Sequence, residues 1–220
     1  MDYFGERTVM TGVIQSAFMN LRAFGPPNIG GAYAGGYYAG EISTAGTGVA
    51  DFYLVVAPVS TGESAFVQWK TSNSPTSGTS SVIDGPTNSA NMNNASHPAA
   101  QFCEGLSIGG YTDWYMPAKN ELEVCYYNLK PTTTSNNASS GTNTNAVPSR
   151  GSNYTAGTPA QTAATDFKSG GAQQFTTVGY WSSTEFSPTN ASYQSFSAGL
   201  QDSFSKTTLG FVRAVRRVAV

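Results

Sequence analysis

The sequence predicts an α+β fold, with two helices packed on antiparallel sheets and a short helix ahead of them. Runs rich in aromatic and β-branched residues begin near residue 28, as paired strands require. Two helix starts follow, each marked by a proline, at Pro98 and just after Pro117. Three more strand-like segments then close the chain. At 220 residues the length suits one domain with a large core, alone or with a short appendage.

Residues 6 to 24 read as the first helix. Met10, Ile14, Ala17 and Leu21 recur at spacings of four, three and four, the seam of a two-heptad coiled coil, and Val13 and Phe18 broaden it. Gly25-Pro26-Pro27 ends it, because proline lacks an amide hydrogen and restricts the residue before it. Two heptads rarely hold an oligomer alone. The segment is therefore either a docking or trimer-seeding helix, or an amphipathic helix packed on its own domain. Residues 1–27 are assigned to attachment and oligomerisation, and 28–220 to the domain.

Within the domain, Ala32 to Ile42, Phe52 to Ala57 and Ala65 to Lys70 are predicted strands. Residues 71–94, with Asp84 as their one charge, read as a long ordered loop. The helix at Pro98 would be capped by Ser96 or His97 and end near Gly105. In the helix after Pro117, Leu122, Val124, Cys125 and Tyr126 share a broad face, while Lys119, Glu121 and Glu123 are expected to point outward. Residues 131–176 form a Thr/Asn/Ser/Gly-rich stretch too long for a mere connection. Val178 to Ser183, Ser192 to Ser197 and Gly210 to Val218 are expected as three antiparallel strands, the last returning beside the first.

Charged residues make up 11% of the chain, against roughly 25% in ordinary soluble domains, and Gly, Ser, Thr and Asn fill the deficit. With 12% aromatics the chain can still build a core, so its surface must stay wet through hydroxyls and amides. A net charge of -2 with 11 Lys and Arg argues against nucleic acid, which needs a basic face. Arg213, Arg216 and Arg217 are the one basic cluster, read as a solvated or ion-paired strand face. No run reaches the ~20 apolar residues that cross a bilayer, so membrane insertion is not expected. Met1-Asp2-Tyr3-Phe4-Gly5-Glu6-Arg7 has acids where a signal peptide would be basic. That pattern fits a virion protein made in a host cytoplasm and released by lysis.

Catalytic signatures are missing. His97 is the one histidine, no Gly-x-Ser-x-Gly elbow precedes a helix, and no phosphate-cradling motif occurs. His97 is read as a capping or surface residue. Cys103 and Cys125 fall in predicted helices facing one sheet; buried free thiols are the expectation, a bridge the alternative. Trp69, Trp114 and Trp181 are assigned to the core.

Two blocks are more specific: Gly109-Gly110-Tyr111-Thr112-Asp113-Trp114-Tyr115-Met116-Pro117, and Tyr180-Trp181-Ser182-Ser183-Thr184-Glu185 followed by Gly210-Phe211-Val212-Arg213-Ala214-Val215-Arg216-Arg217. With Ile29 to Gly36 and Tyr53 to Pro58 upstream, they make the chain resemble the Lcl C-terminal domain family over roughly residues 28 to 218. That family occurs in bacterial surface adhesins and phage tail fibres. The resemblance implies a C-type-lectin-like fold used for recognition, without a reaction, and a homotrimeric state.

Lectins of this fold that hold calcium cluster acids and amides around it, whereas Glu185, Asp202 and Asp166 are scattered here. No metal and no other cofactor is expected. Formylglycine-generating enzymes share the general fold, but their paired cysteines would have to meet in a cleft, away from where Cys103 and Cys125 fall. A binding surface remains. Glu185, Phe186, Asn190, Tyr193, Gln194, Gln201, Asp202 and Phe204 mix rigid aromatics with adaptable amides, as paratopes do. Tyr193 and Phe196 have an alternative, turning into the core as strand residues. The recognition face is thus expected from the 131–176 loop and the 185–205 strands. Its target would be a host cell-surface glycan or protein, and its other partners virion proteins. The alternative is a structural virion component, a capsid decoration or fibre-connecting protein using the same fold for protein–protein contact.

Overall fold

Backbone pairing sorts the strands into two five-stranded sheets. The computed structural model describes residues 25–220. The helix expected over residues 6 to 24, with Met10, Ile14, Ala17 and Leu21, lies outside the described residues. The chain runs through β1 (Ala32–Tyr33), β2 (Gly36–Ile42), β3 (Phe52–Val56), α1 (Val59–Gly62), β4 (Glu63–Gln68), α2 (Gly85–Ala90) and α3 (Pro98–Glu104). It continues through α4 (Lys119–Leu129), β5 (Ala146–Val147), β6 (Gly179–Glu185), β7 (Asn190–Ser195), β8 (Gln201–Ser205), β9 (Leu209–Arg213) and β10 (Val215–Ala219). The fold is α+β, as expected.

The first sheet has the order β1-β2-β3-β10, with β5 paired to β2; the second is β4-β9-β6-β7-β8. Successive side chains of a strand point to opposite faces. On β3 this sends Leu54 and Val56 into one apolar cluster and Val55 into the other, so the strand is buried on both sides. The first cluster joins α4 (Leu122, Cys125, Tyr126, Leu129) to Phe175, Tyr180 and Phe196. The second gathers Trp69, Trp114, Trp181 and Met116 against α3. All three tryptophans are core residues, and both cysteines are free and buried.

Four expectations need correction. Residues 71–94 contain a helix, α2, whose first turn is capped by Asp84 accepting from the Thr87 amide at 3.2 Å. Glu121 and Glu123 of α4 do not point outward; both are fully buried. Glu121 meets Arg217 at 2.8 Å and the Tyr115 hydroxyl at 2.5 Å, while Glu123 pairs with Arg150 and accepts from Tyr154 at 2.7 Å. A helix wedged against both sheets has little outer face, so its charges are kept by pairing.

The C-terminal strands number five rather than three, because Gln201–Ser205 is a strand and the final run divides at Ala214. Ala214 accepts from the Ala57 amide and donates to Gly62, each at 2.9 Å, as the chain passes from the second sheet to the first. β9 lies parallel to β6 through Tyr180 and Phe211, and β10 pairs with β3 rather than with the first strand. Finally, His97 stands at the start of α3 without capping it, and its ring is buried, not at the surface.

Candidate recognition groove

The motif residues build a frame. Tyr180 to Glu185 forms most of β6, in the middle of the second sheet between β9 and β7. Its hydroxyls are engaged: Ser182 Oγ donates to the Ser192 carbonyl at 3.0 Å, and Thr184 Oγ1 donates to Ser81 at 2.8 Å. Thr184 Oγ1 also accepts from the Lys119 amide at 3.0 Å, so β6 caps the N-terminus of α4 from outside the helix. Arg216 forks onto Asp113 at 2.7 and 2.8 Å with its guanidinium 3.8 Å from the Tyr111 ring centre. These residues are spent on holding the two sheets and α4 together.

What the frame presents is an apolar groove of about 340 Å³ on the second sheet, lined by Phe66, Trp181, Tyr193, Phe204, Leu209 and Phe211 among others. Phe66 is 73% exposed, Leu209 60% and Phe204 48%, a clustering of large apolar surface that soluble domains usually reserve for contact. Gly179 and Gly210 keep it open. A Cβ at Gly179 would lie 2.8 Å from the Tyr193 ring, and one at Gly210 would lie 2.6 Å from Trp181 Nε1. That indole nitrogen donates to the Val67 carbonyl at 3.1 Å and pins the aromatic floor to β4. Phe204 leans over Tyr193 with centroids 4.5 Å apart, and Phe66 meets Phe211 edge-on at 5.5 Å.

The register of β4 against β9 slips between Ser64 and Val67, and Phe66 sits in the slip with φ 54. A bulky residue in the left-handed region is strained, and here the bulge aims its ring at the groove. Ser195 and Thr208 add hydroxyls, and among the described residues no Asp, Glu, Lys, Arg or His lines it. Burial, and secondarily the Asp202 charge, push the Tyr193 hydroxyl above its ordinary range. It remains a neutral donor and acceptor at physiological pH.

Residues 61–216 match the model of the family described as Lcl C-terminal domain. The chain belongs to this family. The match takes in every strand that lines the groove, from β4 to β9. It leaves outside the upstream blocks Ile29 to Gly36 and Tyr53 to Pro58, although β3 completes the sheet that β10 enters. No curated protein matches the chain.

Of the residues expected to bind, this Lcl C-terminal domain brings Tyr193 and Phe204 into the groove, with Asp202 opposite Tyr193 on the neighbouring strand. Asp202 is exposed, and its Oδ1 accepts from the Ser203 amide at 2.8 Å. Phe186 is 68% exposed but belongs to the β6–β7 turn, away from the lining. Asn190 is half-buried and opens β7, closing the same turn through its backbone.

Three expected residues are committed to the fold. Gln194 is buried and donates to the Gly199 carbonyl at 2.8 Å. Gln201 accepts from Gly141 at 3.1 Å. Glu185 meets Lys206 at 3.0 Å and accepts from the Thr76 amide at 2.8 Å. Phe66, Leu209, Ser195 and Thr208 were not expected. Phe66 and Val67 are neighbours in a strand-like run, and nothing in their spacing signals the slip that exposes Phe66.

The 131–176 loop is knit inward. Lys130 Nζ donates to Thr134 and Asn136, Asn143 joins Glu123, and Asn145 Nδ2 reaches Ser43 at 2.9 Å. Among the described residues no three His, Cys, Asp or Glu side chains gather as a metal site, and no helix is long and apolar enough to cross a membrane.

Proposed function

We propose that this chain is a phage virion surface protein, a receptor-binding component of the tail fibre that attaches to a glycan or protein on the bacterial surface. In this reading the domain is C-type-lectin-like, works as a homotrimer attached to the virion through residues 1–27, and performs no reaction. The observation that carries it is the solvent-open aromatic groove on β4, β6, β7, β8 and β9. Its exposed rings are held at a backbone cost by Phe66, and strain kept on a surface residue points to use. The hydroxyl- and amide-rich, charge-poor composition suits a particle surface.

Labelled full-length protein, applied to bacteria sensitive to the particle that carries it, tests the reading by cell-bound fluorescence. Replacing Phe66 by Gly together with Phe204 by Ala is expected to weaken attachment at least about tenfold, as loss of two aromatic anchors does. Phe186→Ala is expected to leave it unchanged. Undiminished attachment by the double variant would move recognition to another face. Failure of the wild type to attach would favour a structural role in the particle.

A further inference from the structure

We propose that the groove takes a neutral saccharide, a short stretch of an uncharged surface polymer, held by ring stacking and hydroxyl contacts without a metal. The inference rests on the recognition reading above and specifies its ligand. Size is the first argument. Eleven residues line the groove, whereas a stable protein–protein face draws on about 20–30 residues a side. At about 340 Å³ it falls at the lower end of the small-ligand range, roughly 300–1,000 Å³.

Charge is the second. A sulfated or uronic polymer needs a cation, and the nearby ones among the described residues are occupied. Lys206 Nζ donates to Ser74 and Pro188 at 2.9 Å each and pairs with Glu185. Lys70 Nζ donates to Ser74, Pro75 and Thr76, and Arg213 to Ala57 and Gln173. Both Lys206 and Arg213 are fully buried. The lining offers no charge to either sign of ligand.

Chemistry is the third. A purely apolar occupant such as an acyl chain would strip water from Ser195, Thr208 and the Tyr193 hydroxyl without replacing its hydrogen bonds, which is costly. A sugar ring offers both halves of what is needed. The C–H groups on its apolar face suit the negative face of an aromatic ring, and its hydroxyls donate or accept as the rim requires. The Phe204 ring, tilted over Tyr193 and 48% exposed, and the Phe66 ring supply that aromatic surface.

Ligand-observed NMR on the full chain tests this with neutral di- to tetrasaccharides of glucose, galactose and N-acetylglucosamine. Their sulfated and uronic-acid counterparts are run at the same concentrations. The expected result is saturable transfer to at least one neutral probe, insensitive to added salt and reduced at least about tenfold in Phe204→Ser/Leu209→Ser. Both sites are exposed, so a melting temperature within a few degrees of wild type certifies the fold of that variant. Binding confined to the anionic probes, and lost in salt, would overturn the inference. So would the absence of any neutral binder while Phe66→Gly/Phe204→Ala abolishes cell attachment; protease-sensitive attachment would then identify a protein ligand. That outcome leaves the recognition reading standing, whereas attachment indifferent to the double variant removes the reading itself.

Discussion

At the scale of single residues, Phe66 and His97 show how far side-chain roles depart from residue type. Left-handed backbone costs an L-residue roughly 1–2 kcal/mol, and the Phe66–Phe211 contact returns about 0.5–1.5. Gly at position 66 would therefore leave stability near its wild-type value, which makes it a clean probe of binding. His97 is a loop anchor. Lys70 Nζ donates to Thr76 Oγ1 at 3.0 Å, leaving the Thr76 hydroxyl free to donate to His97 Nε2, also at 3.0 Å. The Nδ1 proton then goes to Asn94 Oδ1 at 2.9 Å, so both ring nitrogens are satisfied in the neutral tautomer.

Burial, then the charges of Lys70 and Lys206, lower the His97 pKa to about 4 from 6.5, against the opposing pull of Glu185. Between those values the unfolded chain binds a proton that the folded chain refuses. The His97 contribution is therefore whole above pH 6.5 and drains away as pH falls towards 4, at up to about 1.4 kcal/mol per unit. Denaturant titrations at pH 7, 6, 5 and 4 should show this slope in the wild type and a shallower one in His97→Gln. Equal slopes would mean that other groups set the acid sensitivity. The single histidine was plain in the sequence, but its cavity was not, because the ring's neighbours come from Trp69, Thr76 and Asn94 on separate turns.

At the scale of elements, α4 is the strut on which both sheets rest. Its apolar positions were legible from spacing, and its start after Pro117 was marked. The burial of Glu121 and Glu123 was not, since hydrophobic periodicity cannot see that each carboxylate has a partner dozens of residues away. Glu121 Oε2 accepts from the Ala118 amide at 2.7 Å while Oε1 holds Arg217 and Tyr115, so one side chain ties the helix start to β10. Glu121→Ala would strand Arg217, and removing one partner of such a buried pair typically costs about 3–5 kcal/mol. Equilibrium unfolding should register that loss; a change below 1 kcal/mol would show Arg217 re-solvating freely. β8 escaped notice because Gln201-Asp202-Ser203-Phe204-Ser205 carries one strand-forming side chain in five. Its order comes from pairing with β7 in unbroken register from Asn190↔Ser205 to Gln194↔Gln201.

Across the whole molecule, frame and site have different visibility. The Gly-Gly-Tyr-Thr-Asp-Trp-Tyr-Met-Pro and Tyr-Trp-Ser-Ser-Thr-Glu strings were readable because each is contiguous, and they mark the family. Most of their side chains serve caps, ion pairs and cores, and Trp181 alone of them reaches the groove floor. The groove is assembled from residues between Phe66 and Phe211, on five strands, with two glycines keeping its floor clear. Only Tyr193 and Phe204 were foreseen there, from the aromatic and amide content of the 185–209 stretch.

Hydrogen exchange of the full chain, with and without envelopes of a bacterium it attaches to, tests most directly whether the groove is the recognition face. Slowed exchange confined to Glu63–Gln68, Asn190–Ser195 and Gln201–Arg213, with the 131–176 loop unchanged, is the predicted result. Protection confined to that loop, with those strands unaffected, would contradict it.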